Sequence, residues 1–204
     1  MSIAESLIAF SIAAALLTLT PGLDTALMLR TAAVEGPRRA SLTGAGILSG
    51  CLVWGAAVAV GLGALLTASE TAFTLLKWAG AAYLVWMGAG MTLKPRRQLD
   101  FSAAPKAGGG FSRGLMTNLL NPKVGVFYVS FLPQFVPAGV PAAPWMFGLA
   151  ALHAAMGVVW FAVLVGATVP LSGLLKRSGV VTWLDRITGG VLIGFGVKLA
   201  LARR

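Results

Sequence analysis

Residues 40–69 read ASLTGAGILSGCLVWGAAVAVGLGALLTAS, without one Asp, Glu, Lys, Arg or His. A helix rises about 1.5 Å per residue, so about 20 apolar residues cross the hydrocarbon core of a bilayer. This stretch is long enough to do so. In a soluble domain an uncharged run of this length would leave no wet face.

Working outward, five further segments qualify or nearly do. Residues 3–29 form the first, uncharged from 6 to 23, and residues 71–93 the third, interrupted only by Lys77 near its start. A lysine there can snorkel to the interface. Residues 114–136 are the fourth, with Lys123 inside it, residues 142–169 the fifth, and residues 183–201 a shorter sixth. Residues 136–144, VPAGVPAAP, form an uncharged turn, and residues 94–110 form the long polar connection, ending in Gly108-Gly109-Gly110. That connection reads as a solvated linker. The reading is an all-α polytopic membrane protein of about six transmembrane helices.

Composition agrees. Hydrophobic residues make up 57% and charged residues 11% of the 204 positions, against about 25% charged in a soluble domain. Mean hydropathy is +0.86. The net charge of +10 would suggest nucleic acid in a soluble protein. Here the basic residues cluster between apolar runs, the positive-inside pattern, and no nucleic-acid partner is expected. The single Cys51 excludes an internal disulfide and a cysteine-based metal cluster. With no Lys or Arg before Arg30, and an apolar stretch far beyond the roughly 7–15 residues of a signal core, the N-terminus reads as the first span.

Lys and Arg set the orientation. The loops after spans one, three and five hold Arg30, Arg38, Arg39, Lys94, Arg96, Arg97, Lys106, Arg113, Lys176, Arg177 and Arg186. The other side holds Lys77, Lys198, Arg203 and Arg204. Eleven against four places the odd loops in the cytoplasm and both termini outside. The basic tail pulls the other way, and a five-span form would bring it inside.

Six spans divide into three plus three, and an odd number of spans per half inverts the second half. Thr20-Pro21-Gly22 lies late in span one and Asn121-Pro122-Lys123 early in span four. Pro21 is eight residues from Leu29, and Pro122 eight from Gly114, so both breaks lie at about 12 Å depth. Inverted-repeat transporters place their sites at such paired interruptions. A fainter echo joins residues 83–88 to 191–196. The expected organisation is a first repeat over 1–93, a cytoplasmic linker over 94–113 and a second repeat over 114–204.

Proline lacks an N–H and pushes the residue before it out of the helical region. Those residues are Thr20 and Asn121, both good N-cap types. Each break therefore reads as the start of a half-helix whose free N–H groups attract an anion. A plain proline kink is the bland alternative. Asp24 lies three positions after Pro21 and Lys123 directly after Pro122. Charges at that depth cost at least ~2.5 kcal/mol unless paired or wet. Either the two bridge each other, or Asp24 faces an ammonium and Lys123, with the helix ends, a carboxylate. The substrate-binding candidates are Thr20, Pro21, Gly22, Asp24, Asn118, Asn121, Pro122 and Lys123. Asp24 and His153 are the proton-coupling candidates, with a packed, hydrogen-bonded histidine as the plainer reading of His153. Gly44, Gly46, Gly50, Gly55, Gly189, Gly190, Gly194 and Gly196 give small-residue faces for close packing or a homodimer contact. Trp78, Trp145 and Trp183 begin spans as interfacial anchors do. No nucleophile–base pair, metal-ligand spacing or cofactor motif is present in the sequence.

Thr20-Pro21-Gly22, the Gly36-x-Arg38-Arg39 loop, residues 114–123 (GLMTNLLNPK), the Phe131-Leu132-Pro133-Gln134-Phe135 run and the ending from Arg186 to Gly196 resemble the LysE/RhtB family of amino-acid exporters. The resemblance covers nearly the whole chain in order. It implies efflux of amino acids or close derivatives across a bacterial inner membrane, driven by the proton gradient, with no ATP, no cofactor and no enzymatic activity. Leu23 stands where that family often has a second proline, and Asp24 stands where expected. An inorganic-cation exporter would need several intramembrane acids. A membrane enzyme would need a His or carboxylate cluster, and an accessory subunit a recruiting tail.

Overall fold

The computed structural model describes residues 2–68, 70–97, 109–167 and 177–201. Most of the 94–110 linker, Lys176, Arg203 and Arg204, and the side chains of Lys77, Pro122 and Lys198 lie outside the described residues. Among these residues every regular element is helical: α1 (Ile3–Leu19), α2 (Leu23–Glu35), α3 (Pro37–Ala68), α4 (Glu70–Leu93), α5 (Gly110–Leu119), α6 (Pro122–Phe131), a 3₁₀ turn (Leu132–Phe135), α7 (Ala142–Gly166) and α8 (Ser178–Leu201). Among the described residues three helices are long and apolar enough to cross a membrane, over Pro37–Gly61, Ala142–Gly166 and Ser178–Val197. The pair α1–α2, bent by 50° at its break, makes a fourth when taken as one broken span. Ile8, Ile12, Val60, Trp86, Val159 and Leu201 are exposed on the outside, as side chains facing lipid would be.

The expected interruptions in the first and fourth segments are both present, and their chemistry differs. Asn121 caps α6, its Oδ1 accepting from the Lys123 backbone N–H at 3.1 Å, with Pro122 in the first turn. Thr20 does not cap α2. It ends α1, its hydroxyl donating back to the Leu16 carbonyl at 2.6 Å, and Gly22 takes the cap position with no side-chain hydrogen bond. The reason is spacing: Gly22 is extended and separates Thr20 from the α2 start at Leu23, beyond reach of its first N–H groups. The half-helices also outrun the expected segments, α2 to Glu35 and α5 back to Gly110. Polar residues at a span end still join a helix when another helix takes up their charges. Arg113 does this for Glu35 at 2.6 Å, and Arg39 flanks the same carboxylate at 3.4 Å.

Packing follows the small residues. α3 lies against α5 and α7, and α4 runs along α8. A methyl added at Gly46 would strike the Phe111 carbonyl oxygen and sit 2.8 Å from the Leu115 nitrogen. One at Gly114 would strike the Thr43 carbonyl, and one at Gly50 would meet the Asn118 side chain at 2.5 Å. The α3–α5 crossing is thus backbone on backbone, which only glycine permits, and it delivers Asn118 to the interior. Gly88 and Gly189 play the same part between α4 and α8. At the far end an aromatic cluster fills the core: Phe10, Phe127, Phe131, Phe135 and Phe195, with Phe127 and Phe131 stacked at 4.6 Å. Trp78 and Trp183 are exposed, while Trp145 donates to the Phe135 carbonyl at 2.8 Å.

Two outcomes are expected. Gly46→Val should cost about 3 kcal/mol or more, because backbone cannot yield as a side chain can. Gly90→Ala, where the added methyl meets nothing within 4 Å, should be neutral or gain up to about 1 kcal/mol in helix propensity. Thermal melts of the two purified variants compare them, and equal melts would refute the crossing. Separately, the hydrogen bond from Arg113 holds the Glu35 carboxyl below its usual range. A carboxyl held low stabilises the fold above its ordinary range, and that contribution is lost as pH falls through the depressed value. Glu35→Gln should therefore lower the melting temperature at pH 7, with the difference closing below about pH 4.

Candidate functional site

The break in α1–α2 frees carbonyl groups, and inside a membrane each would cost several kcal/mol if unpaired. Two cations take them up. Lys123 Nζ, reaching across from α6, donates to the Leu17 carbonyl at 3.2 Å and the Thr20 carbonyl at 3.0 Å. Positive charge at the C-terminal end of α1 also complements the helix dipole. Arg96, just past α4, donates from Nη2 to the Pro21 carbonyl at 2.6 Å. Arg96 is in turn anchored on Asp185 of α8: its backbone N–H and Nε both reach Oδ2 at 2.9 Å, and Nη2 reaches Oδ1 at 2.6 Å. Asp185 is 1% exposed. The Thr20 and Thr188 hydroxyls are hydrogen-bonded beside this clasp.

Arg96 is therefore not simply part of a solvated linker. The residues 94–97 fold back onto α8 and the break, because a buried carboxylate there demands a counter-charge. Asp185 is the functional candidate that sequence reasoning missed. The signal was present: an acid two residues into an apolar segment deserves suspicion on cost alone.

The other carboxylate is differently placed. Asp24 Oδ2 accepts from Asn118 Nδ2 at 2.9 Å, while Oδ1 is buried without a partner. Asp24 and Lys123 are not among the ion pairs within 4.0 Å of the described residues, which are Glu35–Arg39, Arg96–Asp185 and Glu35–Arg113. The mutual bridge considered from sequence is thus absent: the lysine is committed to carbonyl groups and the aspartate to an amide. Both line one cavity of about 60 Å³, room for about four waters at the smallest measure.

Thr20, Gly22, Asp24, Asn121, Lys123 and His153 all reach that cavity. The remaining candidates stand behind it. Asn118 orients Asp24 and also contacts Cys51 Sγ at 3.5 Å, Pro21 presents its carbonyl to Arg96, and Pro122 begins α6. His153 is hydrogen-bonded on both ring nitrogens, to the Tyr128 hydroxyl at 2.9 Å and the Thr18 hydroxyl at 3.2 Å. The α7 wall also brings Gly157, Trp160 and Phe161, which carried no mark in the sequence. Chemically the cavity pairs a carboxylate oxygen lacking a donor with an ammonium and several hydroxyl groups. No group of three or more His, Cys, Asp or Glu suited to a metal occurs among the described residues.

Known proteins resemble this chain along most of its length. The LysE type translocator family profile matches residues 15–203. A membrane protein of Bacillus subtilis (strain 168), YrhP, of uncharacterised role, is 30% identical over 97% of this chain and 100% of its own. The threonine efflux protein of Escherichia coli (strain K12) is 30% identical over 91% of this chain and 92% of its own. The homoserine/homoserine lactone efflux protein of Salmonella typhi is 32% identical over 96% of each. No solved structure matches. The chain belongs to the LysE type translocator family. It is a multi-pass membrane efflux transporter and not an enzyme.

The clasp gives an asymmetric expectation. Arg96→Ala leaves a buried carboxylate and an orphaned Pro21 carbonyl, and should cost about 3 kcal/mol. Asp185→Asn leaves an arginine whose side chain is 41% exposed and can turn to water, and should cost about 1 kcal/mol. Melts of both variants in one detergent test the order, and equal or reversed losses would contradict the assignment.

Proposed function

We propose that this protein exports amino acids or close derivatives from the cytoplasm, across the bacterial inner membrane, in exchange for protons. The observation that carries the reading is Asp24 Oδ1, buried without a donor in a cavity it shares with Lys123. An ammonium group is the donor such an oxygen lacks. Lys123 has an N–H left after its two carbonyl contacts, and with the α6 start it faces the substrate carboxylate. Thr20, Gly22 and Asn121 line the approach, Asn118 holds Asp24 in place, and Pro21 and Pro122 set the breaks. The printed functions of the threonine and homoserine relatives favour an amino-acid substrate.

The architecture we infer is six spans in two inverted halves, 1–93 and 114–204, joined by the cytoplasmic linker 94–113. Its support is the pairing of elements: both halves open with a broken helix, α3 packs on α7, and α4 packs on α8. A two-fold axis relating the halves gives those partners. Antiport then needs one group that holds substrate or proton but not both. Asp24 is that group, with His153 as the neighbouring relay.

Proteoliposomes loaded with mixed amino acids, under an imposed pH gradient, test the reading. Wild-type protein should release a subset of amino acids in proportion to the gradient. Asp24→Asn with Lys123→Gln should transport at under about a tenth of that rate, since each lost charge-assisted contact is worth about 1.5–3 kcal/mol. Flux is normalised to folded protein in the membrane. Near wild-type flux from the double variant would end the proposal.

A further inference from the structure

Asp24 Oδ1 is not alone among the cavity residues in lacking a partner. Trp160, on the α7 wall, also lines the cavity, and its indole Nε1–H is buried with no acceptor in the protein. The indole N–H is a donor only. A buried donor left unmade costs about 1–3 kcal/mol, and a buried tryptophan usually finds a partner for its N–H; Trp54 also lacks one, but only Trp160 lines the cavity of Asp24. Phe or Leu would fill the same wall without that cost. The two orphaned atoms are complementary in kind, one lacking a donor and one lacking an acceptor, on residues that line a single cavity.

We propose that Trp160 is a specificity-determining residue that donates its indole N–H to an oxygen on the substrate side chain. This rests on the amino-acid reading above. With the ammonium given to Asp24 and the carboxylate to Lys123 and the α6 start, the substrate side chain is what remains for the α7 wall. That wall is tight. It bounds a cavity of about 60 Å³, so the side chain admitted is small. A donor-only group accepts no hydrogen bond, which disfavours a second ammonium. Trp160 would thus favour a small, neutral side chain bearing a hydroxyl or carbonyl oxygen over an apolar isostere of the same shape, in keeping with the named substrates of the threonine and homoserine relatives.

The experiment compares export of threonine with that of valine, its isostere lacking the hydroxyl, from proteoliposomes holding wild-type protein, Trp160→Phe or Asp24→Asn. Wild type should favour threonine. Trp160→Phe should reduce the threonine-to-valine ratio by about three- to tenfold, as loss of one neutral hydrogen bond implies, chiefly through slower threonine export. Asp24→Asn should depress both amino acids together. An unchanged ratio in Trp160→Phe, with Asp24→Asn still inactive, would overturn the role of Trp160 and leave the ammonium site standing. Full activity of Asp24→Asn on both amino acids would overturn the site itself. Should Trp160→Phe fail to fold, the wild-type protein carries the test: with ¹⁵N-labelled tryptophan, one indole N–H resonance should move on adding threonine and not on adding valine. No such selective shift would equally refute the proposal.

Discussion

A helix broken inside a membrane must hand its freed carbonyl groups to some donor, because the surrounding hydrocarbon supplies none. In this protein the break at residues 20–22 meets that demand with two cations from other parts of the chain. Lys123 closes the end of α1 and Arg96 closes the Pro21 carbonyl. Both contacts span long sequence separations, so the same hydrogen bonds that make the break tolerable also tie the first span to α6, to the end of α4 and, through Asp185, to α8. An ordinary helix there would leave neither cation a carbonyl to close, and the first span would lose its ties to α6 and to the Arg96–Asp185 pair.

That arrangement has a consequence for Asp24. Lys123 lies close by, yet its contacts are with carbonyl oxygens, and Arg96 is spent on Asp185. The carboxylate accepts from the Asn118 amide, with the Asn121 side chain beside it, and Oδ1 keeps no hydrogen bond within the protein. Asn118 reaches it because Gly50 allows α5 to approach α3 so closely that any side chain there would collide with it. Backbone contact between helices thus governs the electrostatics of the cavity. A cavity whose lining lacks one donor at Asp24 and one acceptor at Trp160 is incomplete by itself, as the proposed reversible binding site requires.

Much of this is legible in the sequence alone. Uncharged runs marked the helices, and the two prolines with their polar neighbours marked the breaks, since proline's missing N–H acts on local structure alone. Asn121 behaves as its type suggests, while Thr20 does not, because a glycine intervenes and no pattern rule weighs that. The extents of α2 and α5 were hidden for a different reason: Glu35 and Arg113 look like loop residues until each is seen to neutralise the other. Arg96 counted only as a topology marker, and Asp185 sat beside Arg186 as one charge among several near a span start. Whether a buried indole has an acceptor is a question about every neighbour in space, so Trp160 had no sequence signature at all.

The account turns on whether a substrate ammonium completes Asp24. The most direct measurement is a solid-state NMR dipolar contact between ¹⁵N-amine-labelled threonine and protein labelled with ¹³C at aspartate Cγ, in lipid bilayers. The chain holds only Asp24, Asp100 and Asp185, and Asp24→Asn identifies the signal. The account predicts that the threonine nitrogen lies within hydrogen-bonding reach of the Asp24 carboxylate and gives no contact to the other two. Bound threonine with no coupling to Asp24, or with its coupling to Asp185, would contradict it.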